Sequence, residues 1–129
     1  MAVTTVPQGQ RVGMLDEKQN PKLIRAMKDG KDPLEYLVTT VWAGEARVFQ
    51  SGAEKYGLTN WRVDKILATT YKGAMLRHLR AWCEGEDFDP DTGENHLYHL
   101  RACCAVVLDS EMHDTLIDDR LWTGSKDQG

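Results

Sequence analysis

No glycine-rich phosphate loop occurs anywhere in this chain. The sequence has no G-x-x-x-x-G-K-[ST], no G-x-G-x-x-G and no G-x-S-x-G. A P-loop, a dinucleotide-binding turn and a nucleophile elbow are therefore excluded. Cysteine is scarce: Cys83, Cys103 and Cys104 make an odd count with one adjacent pair and no C-x-x-C. That pattern gives neither a disulfide framework nor a thiolate metal knuckle, and it suits a reducing compartment in which buried thiols act as small hydrophobes. No apolar window approaches the ~18 residues of a membrane span, and no basic-then-apolar leader opens the sequence. The expectation is a cytoplasmic protein that is neither exported nor membrane-spanning. Positive charge is also short, with 16 Lys and Arg against 20 Asp and Glu and a net charge of -4. Without a basic stripe, nucleic acid is not expected as a partner. Free nucleotides stay open, because a metal ion masks phosphate charge that the protein cannot.

What remains is helix. At 129 residues the chain is about one domain and long enough to bury a core without staples. Residues 1–20 are polar, carry Pro7, Gly9 and Gly13, and read as an N-terminal arm. Residues 21–122 read as a single all-α domain, a bundle of about four helices, and residues 123–129 as a flexible tail. A short helix is predicted from Pro21 to Met27, ended by Gly30. Pro33 suits a first helical turn, and Leu34, Leu37, Val38, Val41, Trp42, Val48 and Phe49 then recur at helical steps to about Glu54, stopping near Gly57. Thr59 or Asn60 caps the next helix. Its stripe of Val63, Ile66, Leu67, Thr70, Tyr71, Ala74, His78, Ala81 and Trp82 runs to about Gly85. An acid-rich turn with Pro90 and Gly93 leads to a third long helix, about Glu94 to Met112. The short connection makes the last two long helices antiparallel neighbours. No strand is convincing.

Several polar side chains fall where packing does not ask for them. Glu45 lies on the apolar stripe of its helix, where a carboxylate either reaches solvent at an edge or meets a cation. Glu86 and Asp89 are three residues apart at a helix end; if that turn stays helical, their oxygens converge as a hard cation requires, and otherwise they belong to a solvated acidic loop. His96 and His99 stand one turn apart and can flank one groove. Folding the hairpin about residue 90 puts His96 near Glu84 and His99 near Ala81. Metal ligation, substrate contact and a hydrogen bond to a carboxylate are all open to them, though no cysteine pair or third histidine in register completes a closed zinc site. His78 lies on an apolar stripe, either as a core histidine or as a catalytic one. Beside it, Arg77 offers a planar fork for phosphate oxygens. Lys55 ends its helix before Gly57, where it either complements the helix dipole or reaches a phosphate. Asn60 can read a base edge, and Trp61 can stack on a base or anchor a core.

These residues carry a resemblance. Gly52-Ala53-x-Lys55-Tyr56-Gly57-x-x-Asn60-Trp61-Arg62, Arg77-His78-Leu79, Gly85-Glu86-x-x-Asp89, Gly93 and His96-Leu97-x-His99 together resemble the phage dATP/dGTP diphosphohydrolase family. That family includes the MazZ proteins and is related to the MazG-type all-α nucleotide pyrophosphohydrolases. The likeness covers about residues 33 to 121, with Asp118-Asp119-Arg120 similar to the family's tail. It implies an oligomeric, metal-dependent helical bundle that removes diphosphate from purine deoxynucleoside triphosphates, in phages that replace adenine with 2-aminoadenine. MazG relatives carry E-E-x-x-E on one helix and E-x-x-D on the next. This chain has no E-E-x-x-E, and its E-x-x-D matches are Glu84 to Asp87, Glu86 to Asp89 and Glu111 to Asp114.

The expectation is thus hydrolysis of dGTP or dATP at the α–β bond, with Mg²⁺ or Mn²⁺ held by Glu45, Glu86 and Asp89. Lys55, Arg77 and His78 are the catalytic candidates, and Asn60, Trp61, His96 and His99 the substrate-binding ones. A homodimer or homotetramer is expected, in the host-cell cytoplasm if the gene is a phage's. The competing expectations are a non-catalytic helical adaptor and a histidine–aspartate phosphohydrolase. The second needs an adjacent His-Asp pair, and His113-Asp114 near the tail is the one such pair.

Overall fold

The computed structural model describes residue 18 and residues 20–121; most of the expected arm and all of the expected tail lie outside the described residues. The chain divides into two compact units between Val38 and Thr39. In the first, helix α1 (Pro21–Lys28) begins on its proline, as expected, and closes with a left-handed Gly30. A 3₁₀ turn, Leu34–Tyr36, follows.

The second unit holds the long helices. A 3₁₀ turn at Thr39–Val41 leads into α2, Trp42–Tyr56. The helix expected from Pro33 is therefore α-helical only in its second half, with extended backbone at Leu37 separating the two 3₁₀ turns. Gly57 ends α2 at φ 93°, a conformation that L side chains avoid.

The helix expected from Asn60 to Gly85 is two helices. Helix α3 (Asn60–Val63) stops at an extended Asp64, strand β1 (Ile66–Leu67) follows, and α4 runs Ala68–Cys83. The interruption has a distant cause. The Asp119 carboxylate accepts from the Thr69 backbone N–H at 2.8 Å and from its hydroxyl at 2.5 Å. It fills the N-cap role for α4 from fifty residues away and pins the helix start. Strand β1 pairs in parallel with β2 (Leu116–Ile117), Ile66 opposite Leu116. This small sheet departs from the strandless expectation.

Helix α5 spans His96–Met112 and starts on Asn95, whose side chain accepts from the Leu97 N–H. Helices α4 and α5 form the expected antiparallel pair: Met75 meets Cys104, and His78 meets His96 and His99. The fold is all-α apart from the two-residue strands. Helix α2 packs on α5 at Gly44, where an added Cβ would land in the Tyr98 ring. Glu45–Arg101 and Arg47–Glu94 ion pairs flank that crossing. The buried centre is thin and small-residued: Ala68, Ala102, Val106, Ser110 and one histidine, His96. No helix among the described residues is long and apolar enough to cross a membrane.

Candidate metal centre and adjoining cleft

A buried histidine needs a partner for each ring nitrogen, and His96 has two. Its Nε2 donates to Glu86 Oε1 at 2.8 Å, and its Nδ1 lies 2.9 Å from His78 Nδ1. Because a carboxylate only accepts, Nε2 carries a proton, and the Nδ1 of His96 is the nitrogen turned toward His78. Asp89 Oδ2 stands 3.8 Å from His78 Nδ1. His78, Asp89 and His96 each bring one donor atom into a group whose members all lie within 4.8 Å of one another.

The hairpin between α4 and α5 builds this group. Helix α4 ends at Cys83, so Glu86 and Asp89 do not share the helical turn expected of them. They reach the site from a folded loop. Gly85 at φ 95° reverses the chain, the Asp87 carbonyl accepts from the His96 N–H, and Asp89 and Glu94 close the loop backbone to backbone. Asp89 Oδ1 accepts from the Asp91 and Thr92 N–H groups at 2.8 and 3.2 Å, which leaves Oδ2 for the cluster. Burial works against ionising Asp89, but those two backbone donors, together with His99 and His78, outweigh it, and its carboxyl lies below the usual range. His78 and His99 are both lowered, chiefly by burial, which favours their neutral, metal-binding form.

His99 ties the cluster to a second feature. Its ring stacks on His78, its Nε2 lies 2.7 Å from Thr92 Oγ1, and it also borders a cleft of about 160 Å³. The cleft lies between α2, α3, α4 and α5, and is lined by Phe49, Tyr56, Asn60, Trp61, Tyr71 and Cys103 among others. A dry apolar cavity of ~150 Å³ accepts a benzene ring, so this one has the scale for a flat aromatic group. Trp61 is anchored rather than loose. Its ring sits 5.7 Å from Phe49, and its Nε1 donates to Asp109, which also takes the Arg62 guanidinium. Arg62 first, then Trp61, holds the Asp109 carboxyl far below the usual range.

The structure thus brings together His78, Glu86, Asp89, His96 and His99 on one side, and Asn60, Trp61 and His99 on the other. Glu45 is not drawn in: it takes the Arg101 guanidinium at 2.9 Å. Glu86 meets the cluster through the outer nitrogen of His96, not as one of its close donor atoms. Lys55 is exposed at the end of α2, where its charge is felt at His99. Arg77 is exposed beside His78, with its guanidinium folded back over Gly73. The expected hairpin register is off by about a turn, since His99 faces His78 and not Ala81. His78 is the third histidine that the sequence reading found no place for. Thr92 and the cleft walls Phe49, Tyr71 and Cys103 were missed; Phe49, Tyr71 and Cys103 showed only as members of apolar helical runs, and Thr92 only as part of the acid-rich turn. His113 turns to Asp109, not to a histidine cluster.

A helical hairpin whose two helices and connecting loop converge two imidazoles and a carboxylate, next to an aromatic-lined cleft, defines a small all-α protein with one candidate site. Comparison with known sequences gives that class a family. The family described as dATP/dGTP diphosphohydrolase, N-terminal, matches residues 22–120, and the chain belongs to it. A protein of Salmonella phage PMBT28 named dATP/dGTP diphosphohydrolase is 27% identical over 99 residues, covering 74% of this chain and 32% of the relative. The chain therefore spans about a third of that relative's length. No solved structure matches.

Proposed function

We propose that this domain binds a purine deoxynucleoside triphosphate, dGTP in preference to dATP, and hydrolyses it with the help of Mg²⁺ or Mn²⁺ at the histidine–aspartate cluster. One observation carries the reading: His99 is both a wall of the aromatic cleft and the stacking partner of His78. A base in the cleft would thus leave its phosphates beside the donor group. The relative's name supports the nucleotide as substrate.

The residues divide the work. Trp61 and Phe49 offer ring faces to a base, and the Asn60 amide offers a donor and an acceptor at the cleft wall. His78, Asp89 and His96 would hold the ion, and the pairing of imidazole and carboxylate donors fits a divalent metal. Such an ion neutralises phosphate charge and acidifies a bound water. Lys55 and Arg77, both exposed, are the cations that would meet charge building on the leaving diphosphate. Water attacks the α-phosphorus, the α–β anhydride bond breaks, and the products are the deoxynucleoside monophosphate and diphosphate. In the cell this serves a phage that remodels its nucleotide pool for 2-aminoadenine DNA, in the host cytoplasm. We further read the working form as a homodimer or homotetramer, because Leu76, Leu79 and Trp82 stay 53, 38 and 42% exposed along α4.

The test is product analysis by anion-exchange chromatography on dGTP, dATP, dCTP and dTTP, with Mn²⁺, Mg²⁺ or EDTA. The expected result is dGMP plus diphosphate, faster than from either pyrimidine, and none with EDTA. Intact nucleotide under every condition sinks the catalytic reading. The rival is a non-catalytic adaptor. An adaptor shows no melting shift with Mn²⁺ and dGTP. A protein that binds the nucleotide gains about 2.7 kcal/mol at a hundredfold excess over Kd.

A further inference from the structure

Mg²⁺ is a hard cation that takes oxygen and gives up water reluctantly. Two of the three close donors here are imidazole nitrogens, which suit first-row transition ions. Spacing adds to this. With metal–nitrogen bonds of ~2.1 Å, two nitrogens lie about 3.0 Å apart at right angles and about 3.4 Å apart at the tetrahedral angle. The His78 and His96 Nδ1 atoms are 2.9 Å apart, as for neighbouring corners of an octahedron.

Two nitrogens that close share either a proton or a cation, and the surroundings favour the cation. Glu86 fixes the proton of His96 on Nε2, so the Nδ1 lone pair faces inward. Asp89 supplies a negative oxygen within 3.8 Å of His78. Its other oxygen is occupied by two backbone donors, which orient it. His96 is 5% exposed, whereas Glu86 is 55% exposed. The carboxylate thus backs a buried ligand from the solvent side, the arrangement by which outer carboxylates orient metal-binding histidines.

We propose that His78 Nδ1, His96 Nδ1 and Asp89 Oδ2 form a site for one six-coordinate first-row transition ion of the Mn²⁺ or Co²⁺ kind, discriminating against Mg²⁺, with Glu86 as the positioning residue for His96. The inference deepens the functional reading and rests on it for the presence of an ion. Binding is nonetheless measured without nucleotide, so the two can fail separately.

The experiment uses the full chain, stripped with chelator and dialysed against Mn²⁺, Co²⁺ or Mg²⁺, with bound metal counted by mass spectrometry and Co²⁺ followed by its visible absorption. The expected result is one Mn²⁺ or Co²⁺ per chain, retained against about a hundredfold excess of Mg²⁺. His78→Ala and Asp89→Asn each weaken Co²⁺ binding by about tenfold or more while circular dichroism stays helical. Glu86→Ala weakens it about 10–100-fold and changes the Co²⁺ spectrum. Glu86→Gln, whose amide oxygen still accepts from Nε2, recovers most of the loss. A merely structural Glu86 would leave the spectrum alone. Folded protein that binds no Mn²⁺ or Co²⁺ overturns the proposal. So does Mg²⁺ displacing Co²⁺ at equal concentration, or Co²⁺ binding indifferent to His78→Ala and Asp89→Asn. If Co²⁺ binds as expected and dGTP stays intact, the metal site stands and the hydrolase reading falls.

Discussion

His99 lies flat on His78, with ring centroids 4.5 Å apart and planes 7° from parallel. Since His99 also lines the cleft and meets Thr92, one side chain supports a candidate ligand and closes the floor of the candidate base pocket. His99→Ala removes an aromatic stack and a hydrogen bond, each about 1 kcal/mol, so urea unfolding should show a loss of about 1–3 kcal/mol. Steady-state kinetics on dGTP should show KM rising more than kcat falls, because the three close donor atoms remain. His99→Phe should restore about half of the loss, as it keeps the stack and gives up the Thr92 bond. Equal stability of the Ala and Phe variants would contradict the stacking role.

Gly44 and Tyr98 set how closely α2 approaches α5. A methyl at Gly44 would occupy the Tyr98 ring. Gly44→Ala should therefore destabilise by about 1–3 kcal/mol, the usual range for overpacking. The double variant Gly44→Ala/Tyr98→Ala tests the cause. Relief of the clash should make the pair of losses less than additive by about 0.5–3 kcal/mol in denaturant titrations. Additive losses would place the strain elsewhere.

How far the sequence carried this structure depended on whether each determinant was local. Helix α1, the end of α2 and helix α5 announced themselves through Pro21, Gly57 and the apolar run around Cys103 and Cys104, all within a turn or two of the elements they bound, whereas the start of α2 fell nine residues after the expected Pro33. The break between α3 and α4 did not, because Val63, Ile66 and Leu67 continue a helical stripe while the interruption is imposed by Asp119 and by β2. The candidate site followed the same division. His78, Glu86, Asp89, His96 and His99 were each visible as residues out of place. Their grouping was not, since it depends on a loop folded about Asp89 that moves the hairpin register by a turn. Glu45 looked equally misplaced, and only the three-dimensional structure supplies its partner, Arg101.

Asp109 joins α3 to α5 by accepting from Trp61 and Arg62. Its folded carboxyl is depressed, so the stability that it contributes is present above the ordinary carboxylate range and is lost as the pH falls below about 4. Acid titration by circular dichroism should show a steep loss there in the natural protein and a shallower one in Asp109→Asn. Asp109→Ala should melt lower than Asp109→Asn at pH 7, because only the amide still accepts from Trp61.

Burial pushes the Cys103 thiol up to about 11, whereas Cys83 and Cys104 are exposed. The thiolate is the reactive form. Iodoacetamide at pH 8 should therefore label Cys83 and Cys104 and spare Cys103, as read by peptide mass spectrometry. The same burial favours the protonated folded state. Its stability contribution is complete below the thiol's ordinary pKa of ~9 and is lost as the pH climbs toward 11. Tyr71, also raised chiefly by burial, acts in the same direction. Denaturant midpoints should therefore fall across that interval, and less so in Cys103→Ala.

Glu45 and Asp89 separate two ways of holding a cation. If a helical carboxylate were the principal ligand, Glu45→Gln would abolish metal binding. The structure instead pairs Glu45 with Arg101, its side chain 17% exposed and that of Arg101 46%. A half-exposed pair of this kind contributes about 0.2–1 kcal/mol, so Glu45→Gln and Arg101→Ala should each lower stability slightly and leave Mn²⁺ affinity within about twofold. Asp89→Asn removes charge from the donor group itself and should weaken Mn²⁺ by about tenfold or more, with little change in melting temperature. Titration calorimetry of the three variants reads the Mn²⁺ affinity, and scanning calorimetry of the same samples reads the stability. A loss of Mn²⁺ affinity in Glu45→Gln as large as in Asp89→Asn would move the ion toward α2 and away from the loop that closes the hairpin.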